Sequence, residues 1–238
     1  MKRDNLVEIK KGETGTGLLI EHDAGFISSD FGENKRLFEE ISSNIEKGDF
    51  SCPYPFIVSA VLQKYGIENA NGRIYPENVL KREAENYIQK INEKRAIGEC
   101  NHPSDSTIDL SRVAINIIEM HWEGHTLVGK LEILTSPGFR KYGMITCQGD
   151  QVANLLLQGI KIGVSSRGLG TVTNKMGVLY VSDDYEIVCW DVVSDPSTPN
   201  AWITPEDKIP QQYIESKENE NKPKLFENLD NFSEWLNE

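Results

Sequence analysis

The sequence predicts an α+β fold, with an antiparallel, barrel-like β core surrounded by helices. Three features carry this expectation. A helix opens at Pro76, two strands pair around Glu123-Gly124, and short β-rich segments follow one another from Ile162 to Val193. Residues 1–50 are rich in Gly, Asp, Glu, Lys and Ser, with a helix expected over Lys35–Lys47 and little other periodicity. They read as an N-terminal extension whose order is left open. Tyr54–Leu62 is apolar and β-branched, which suits a buried strand. A turn-rich stretch, Glu68 to Arg73, is punctuated most strongly by Asn71-Gly72.

Pro76 then suits the first helical turn and Glu77 suits the positive end of the helix dipole, so a helix is expected to about Lys94. Val113–Trp122 and Leu127–Leu134 form a hairpin, with Leu127, Leu131 and Ile133 on one face and Thr126, Lys130 and Glu132 on the other. A short helix over Asp150–Leu157 ends near Gly159, and strands follow at Ile162–Ser166, Gly177–Val181 and Tyr185–Val193. Residues 51–204 thus hold nearly all the strong strand and helix signals and read as the folded domain. Residues 205–238 read as a polar, acidic linker and a C-terminal amphipathic helix, since Leu225, Phe226, Leu229, Phe232, Trp235 and Leu236 recur at spacings of three and four. An amphipathic tail of this kind suits docking on a partner surface.

The chain has 238 residues and a formal net charge of −12, with nine acidic residues against four lysines after residue 204. An acidic surface repels nucleic acid, so no nucleic-acid partner is expected. Nothing approaches 18 consecutive apolar residues and Met1-Lys2-Arg3-Asp4 leads into charge, so neither a membrane span nor a secretory signal is expected. Cys52, Cys100, Cys147 and Cys189 lack paired spacing and read as reduced thiols.

Gly163-Val164-Ser165-Ser166-Arg167-Gly168-Leu169-Gly170 sets two hydroxyls and an arginine between glycines. It reads as the end of a strand followed by a sharp turn, a setting that suits a nucleophile beside oxyanion donors. A plain Gly-Ser turn is the competing reading. Asp191 interrupts an otherwise apolar strand, and a buried carboxylate needs a partner. Histidine is scarce: His22, His102, His121 and His125. His102 precedes Pro103, which fixes an extended backbone. His102, Ser165 and Asp191, 63 and 26 positions apart, therefore make a candidate triad. His121 and His125 are four apart, but a zinc-protease motif needs a helix and this segment reads as hairpin. Cys100 beside His102 lacks the second pair of a metal clip, and Cys189 reads as core, so no metal or cofactor is expected.

Four blocks, Asn69 to Pro76, Gly98 to Pro103, Gly163 to Gly170, and Asp191 with Pro196 to Trp202, closely resemble the prohead core proteases of T4-type tailed phages, in the same order. That family is similar in fold to the herpesvirus capsid-maturation proteases, a serine peptidase barrel wrapped by helices. The resemblance implies Ser165 as nucleophile, His102 as general base and then acid, and Asp191 as the group that orients the imidazole. Herpesvirus enzymes carry a second histidine where Asp191 stands. The oxyanion would be met by N–H groups near Arg167 and Gly168, or by the loop Ser194–Thr198. Ser166 is the rival nucleophile; neighbours on a strand face opposite ways, so only one of the pair can face His102, and the resemblance favours Ser165. Arg167 either holds the loop by ion pairing or is solvated. Asn69, Asn71 and Arg73 suit a substrate groove, and a tight turn before a helix explains the asparagines equally well.

The resemblance further implies an enzyme packed inactive in the immature capsid, within the host cytoplasm. It would cut scaffold proteins, capsid proteins and itself, and it would self-associate. Cleavage in the T4-type group favours the carboxyl side of Glu with Leu or Ile two residues earlier. Leu6-Val7-Glu8, Leu19-Ile20-Glu21, Leu37-Phe38-Glu39, Leu225-Phe226-Glu227 and Leu236-Asn237-Glu238 match that pattern, and trimming near Glu227 is expected. The competing classes are an inactive scaffold component and a serine esterase. The esterase lacks the Gly-x-Ser-x-Gly elbow, because Arg167 stands where glycine is required.

Overall fold

Two five-stranded sheets meet at their edges to build the core of this computed structural model, which describes residues 6–21, 50 and 52–205. One sheet runs β1 (Gly15–Ile20), β7 (Gly163–Lys175), β8 (Val178–Val181) and β3 (Arg73–Ile74), with β9 (Glu186–Val193) paired to β7. The other runs β10 (Ile203–Pro205), β2 (Phe56–Lys64), β6 (Thr126–Ile133), β5 (Val113–Glu123) and β4 (Ile97–Glu99). Isolated bridges join the two at both seams, Cys100 to Val192 beyond β4 and Gly163 to Trp202 before β10. Strands β2, β6, β5, β4, β9, β7 and β10 thereby close a ring, and closure removes the unpaired edges that an open sheet leaves exposed. The fold class is the mixed, sheet-dominated α+β expected from the sequence.

The ring is filled from its alternating inner positions, Val58, Ala60, Leu62, Ile115, Ile117, Leu131, Val164, Trp190 and Val192 among them. Helix α1 (Glu77–Asn92) starts directly after Pro76 and lays Val79, Leu80, Ala84 and Tyr87 on this core. Tyr87 meets Trp190 edge to face, with ring centroids 4.8 Å apart. The hairpin of β5 and β6 forms as expected, and Gly124 takes the left-handed conformation (φ 55°) that its turn requires. His121 sits on that strand and bonds Glu123, and His125 follows the turn, so the pair lies on a hairpin rather than one helical face.

Several elements depart from expectation. A short helix α2 (Pro137–Tyr142) precedes α3 (Gln148–Leu157); Ser136 caps α2, accepting the Phe139 N–H. The larger departure is β7, which runs unbroken for 13 residues instead of turning after Ser166. Gly168 and Gly170 look like turn residues but serve packing. A Cβ on Gly168 would stand 2.4 Å from the Tyr185 ring, and one on Gly170 would stand 3.0 Å from the Tyr185 Cα. β1 lies in the segment read as an extension, and it pairs antiparallel with β7 from Gly15–Val172 to Ile20–Arg167. The helices expected at Lys35–Lys47 and over Leu225–Leu236, like the acidic tail and His22, fall outside the described residues.

Asp150 ties α2 and α3 together. Its buried carboxylate accepts the N–H and hydroxyl of Ser136, the N–H and hydroxyl of Thr146, and the Cys147 N–H. Burial opposes the charge, but these donors outweigh it and hold the pKa near about 2. A carboxylate depressed in this way stabilises the fold fully above its unfolded value of about 4, and the contribution disappears as pH falls toward 2. Asp150→Asn is expected to cost about 2–3 kcal/mol at pH 7, with the deficit against wild type shrinking as denaturation is followed toward pH 2. A deficit that is unchanged with pH contradicts this.

Candidate active site

β7 and β9 pair with Ser165 directly opposite Asp191, Ser166 opposite Trp190 and Arg167 opposite Cys189. Residues opposite one another in an antiparallel ladder share a face. Ser165, Asp191, Arg167 and Cys189 therefore leave one face, and Ser166 and Trp190 leave the other. The Ser166 side is the filled interior, where Trp190 Nε1–H donates to the Leu62 carbonyl at 3.1 Å and the Tyr185 hydroxyl lies by Ser166.

His102 reaches the Asp191 face because β4 is pressed against β9. Gly98 makes the approach feasible, since a Cβ there would stand 1.9 Å from the Trp190 carbonyl oxygen. Beyond β4, the Asn101 N–H donates to the Val192 carbonyl at 2.8 Å, and Asn101 itself adopts φ 65°. Asparagine tolerates that left-handed backbone better than most residues. The turn delivers His102 Nδ1 to 2.8 Å from Asp191 Oδ2, with both side chains buried.

Asp191 has further partners. The Glu99 N–H donates to Oδ1 at 3.0 Å, Arg167 Nε lies 3.0 Å from Oδ2, Arg167 Nη2 donates to Oδ1 at 3.2 Å, and the Cys189 thiol contacts Oδ1 at 3.2 Å. Burial would raise the Asp191 pKa. The His102 bond, the Arg167 charge and the Glu99 N–H outweigh burial and hold it below the ordinary carboxylate value. Arg167 also grips Glu99 Oε1 at 3.1 Å and the Asp105 carbonyl at 2.6 Å, so one buried guanidinium fastens β4, the His102 loop and β9. Burial pushes the Cys189 thiol well above its usual range, and Asp191 adds to the shift. That thiol is neutral.

The remaining sequence-predicted positions fall as follows. Arg167 and Gly168 lie in β7, facing Ile20 and Leu19 of β1 on one side and Cys189 and Ile187 of β9 on the other. The loop Ser194–Thr198 follows β9 and presents Ser197 Oγ, which donates to Glu21 Oε2 at 3.0 Å. Asn69, Asn71 and Arg73 all donate to the same Glu21 carboxylate. Among the described residues no cluster of His, Cys, Asp and Glu could hold a metal ion.

Sequence reasoning missed two members. Glu99 is fully buried between Arg167, Arg112 and the Asp109 N–H, and a charged residue inside an apolar strand beside Gly98 was the available signal. Glu21 is the other: its carbonyl accepts the Ser165 hydroxyl at 2.9 Å. Only its membership of a Leu-x-Glu tripeptide set it apart in the sequence.

A hydroxyl, an imidazole bonded to a carboxylate and a nearby carbonyl make an arrangement suited to acyl transfer. Comparison with known proteins points to a peptidase. Residues 18–213 match the family described as "Prohead core protein serine protease". The chain is 32% identical over 162 residues to the prohead core protein protease of Enterobacteria phage T4, an alignment covering 67% of this chain and 73% of that relative. It is also similar to the solved structure of the bacteriophage T4 capsid assembly protease, with 27% identity and a TM-score of 0.53, over 58% of this chain and 80% of that one.

Proposed function

The chain belongs to the prohead core protein serine protease family, and from that membership we propose a serine endopeptidase in which His102, Ser165 and Asp191 act as one catalytic unit. It is a phage prohead protease, and such an enzyme serves capsid maturation inside the prohead. Among the described residues no helix is long and apolar enough to cross a membrane. The observation supporting the triad is the ladder position of Ser165 opposite Asp191, on the face where His102 Nδ1 lies 2.8 Å from the Asp191 carboxylate.

Asp191 accepts a hydrogen bond from His102 Nδ1–H, fixing the tautomer in which Nε2 is the base. His102 Nε2 takes the Ser165 proton as Oγ bonds the substrate carbonyl carbon. Asp191 stabilises the imidazolium, which then protonates the departing amine. Water attacks the acyl-enzyme by the same relay and regenerates Ser165. Arg167 and Glu99 act by holding Asp191, not by touching substrate. Arg167 and Gly168 are flanked by β1 and β9 inside an unbroken β7 instead of standing in a turn, so the loop Ser194–Thr198 is the favoured source of oxyanion donors.

Phage scaffold and capsid proteins are the proposed substrates, cut after glutamate with Leu or Ile two residues before, together with self-cleavage and self-association. Incubating the purified chain with its scaffold is expected to yield fragments ending in Leu-x-Glu, with no cut by His102→Ala. A Leu-x-Glu peptide is expected to be cleaved far faster than simple esters. Equal processing by His102→Ala, or ester turnover without peptide cleavage, overturns the reading.

A further inference from the structure

Helix α2 and the residues after it present a group of exposed apolar side chains that the active site does not use. Tyr142, Met144 and Ile145 are 64%, 58% and 52% exposed. Tyr54 is 68% exposed and joins them through Arg140, whose guanidinium lies 3.8 Å from the Tyr54 ring centroid. Grouped exposed apolar side chains of this kind mark a docking surface.

The group is held firmly from beneath. Phe139 points inward, 1% exposed, and meets Phe50 edge to face with ring centroids 5.3 Å apart. Gly143 turns the chain with φ 69°. Asp150 accepts the Ser136 N–H at one end of the loop and the Thr146 and Cys147 N–H groups at the other. Tyr142, Met144 and Ile145 thus stand outward between two pinned ends, and little ordering remains to be done when a partner arrives.

Three observations point to the occupant. The first is direction. β10 runs antiparallel to β2, from Ile203 opposite Ala60 to Pro205 opposite Val58, so the chain leaving Pro205 heads along β2 toward Phe56 and Tyr54. Val58 and Tyr54 are four residues apart, or about 13 Å in an extended strand. The second is length and pattern. Nineteen residues separate Pro205 from Leu225, an extended reach of about 60 Å, so the segment 225–236 can arrive at α2. At helical spacing its Leu225, Leu229, Phe232 and Leu236 share one face, with Glu227, Asp230 and Glu234 opposite. The third is charge. α2 carries Arg140 and Lys141 and no acid, while residues 225–238 carry four acids and no base. The other amphipathic candidate, residues 35–47, has three bases and three acids and gains nothing from that field.

We propose that Tyr54, Tyr142, Met144 and Ile145 form a docking surface for the chain's own segment Leu225–Leu236. The segment lays its apolar stripe on α2 as an amphipathic helix lies in a groove. A tethered segment meets its site at an effective concentration of about millimolar, which favours docking within one chain over capture of a second copy. The surface holds none of His102, Ser165 and Asp191, so the proposal stands or falls independently of the peptidase reading.

Photocrosslinking on the full chain tests this. The protein carries p-benzoylphenylalanine in place of Tyr142, in a Ser165→Ala background so that no proteolysis shortens it. Irradiation is expected to give a single-chain adduct between position 142 and residues 225–236, with a yield independent of protein concentration. That yield is expected to fall at least about tenfold when Phe232→Glu or Met144→Glu places a charge in the apolar contact. Met144 is exposed, so Met144→Glu leaves the core intact, which circular dichroism verifies. An adduct to residues 22–49 instead, an adduct joining two chains, or no adduct to 225–236 overturns the proposal. Equal yield in both glutamate variants overturns it as well.

Discussion

Ser165→Ala is expected to abolish cleavage, lowering kcat by about 10⁴–10⁶, whereas Ser166→Ala cuts within about threefold of wild type. The two serines are adjacent and equally buried, so exposure does not separate them. The ladder does. Ser165 stands opposite Asp191 and shares its face, and Ser166 stands opposite Trp190 inside the ring. No rotamer change carries Ser166 through the sheet, because the pleat fixes which side each Cβ leaves. Losing the Ser166 hydroxyl removes one small polar atom from an interior that Trp190 and Tyr185 fill, a change of modest cost. Steady-state kinetics on a Leu-x-Glu peptide measures both variants. Retained cleavage in Ser165→Ala, or its loss in a folded Ser166→Ala, reverses the assignment.

Asp191→Asn is expected to lower kcat about 10³–10⁴-fold while leaving KM within a few-fold. Asp191 Oδ2 lies 2.8 Å from His102 Nδ1, and an amide in its place offers either an uncharged acceptor or a donor that favours the wrong tautomer. The imidazolium formed during proton transfer then lacks its counter-charge. Arg167 would also lose half of its anionic company, keeping Glu99 alone. The fold should hold, since Arg167 still ties β4 to the His102 loop through Glu99 and the Asp105 carbonyl. Full activity in Asp191→Asn, with an unchanged acid limb of the pH profile, contradicts the orienting role.

Much of the ring was legible in the sequence because its signals are local. The β5–β6 hairpin declares itself through alternation and a turn glycine, and α1 through Pro76 and Glu77. Asp191 stood out because a carboxylate inside an apolar strand demands a partner, and His102 because proline fixes the backbone after it. The length of β7 was illegible. Gly168 and Gly170 carry the composition of a turn, and only the Tyr185 ring, brought in by a different strand, explains why glycine is needed in a straight one. β1 was hidden for a similar reason: Gly15-Thr16-Gly17 offers little strand propensity, and pairing with β7 overrides it. Asn69, Asn71 and Arg73 were visible as residues with two readings. Their common partner lies roughly 50 positions earlier, and no local pattern connects them to it.

The most direct test is to treat the purified chain with a phosphonate bearing Leu-Ile-Glu and locate the adduct by peptide mass spectrometry. Phosphonylation of Ser165 alone, slowed at least about 100-fold in both His102→Ala and Asp191→Asn, is the predicted result. An adduct on Ser166, or full peptide cleavage by a chain that never takes the label, would contradict it.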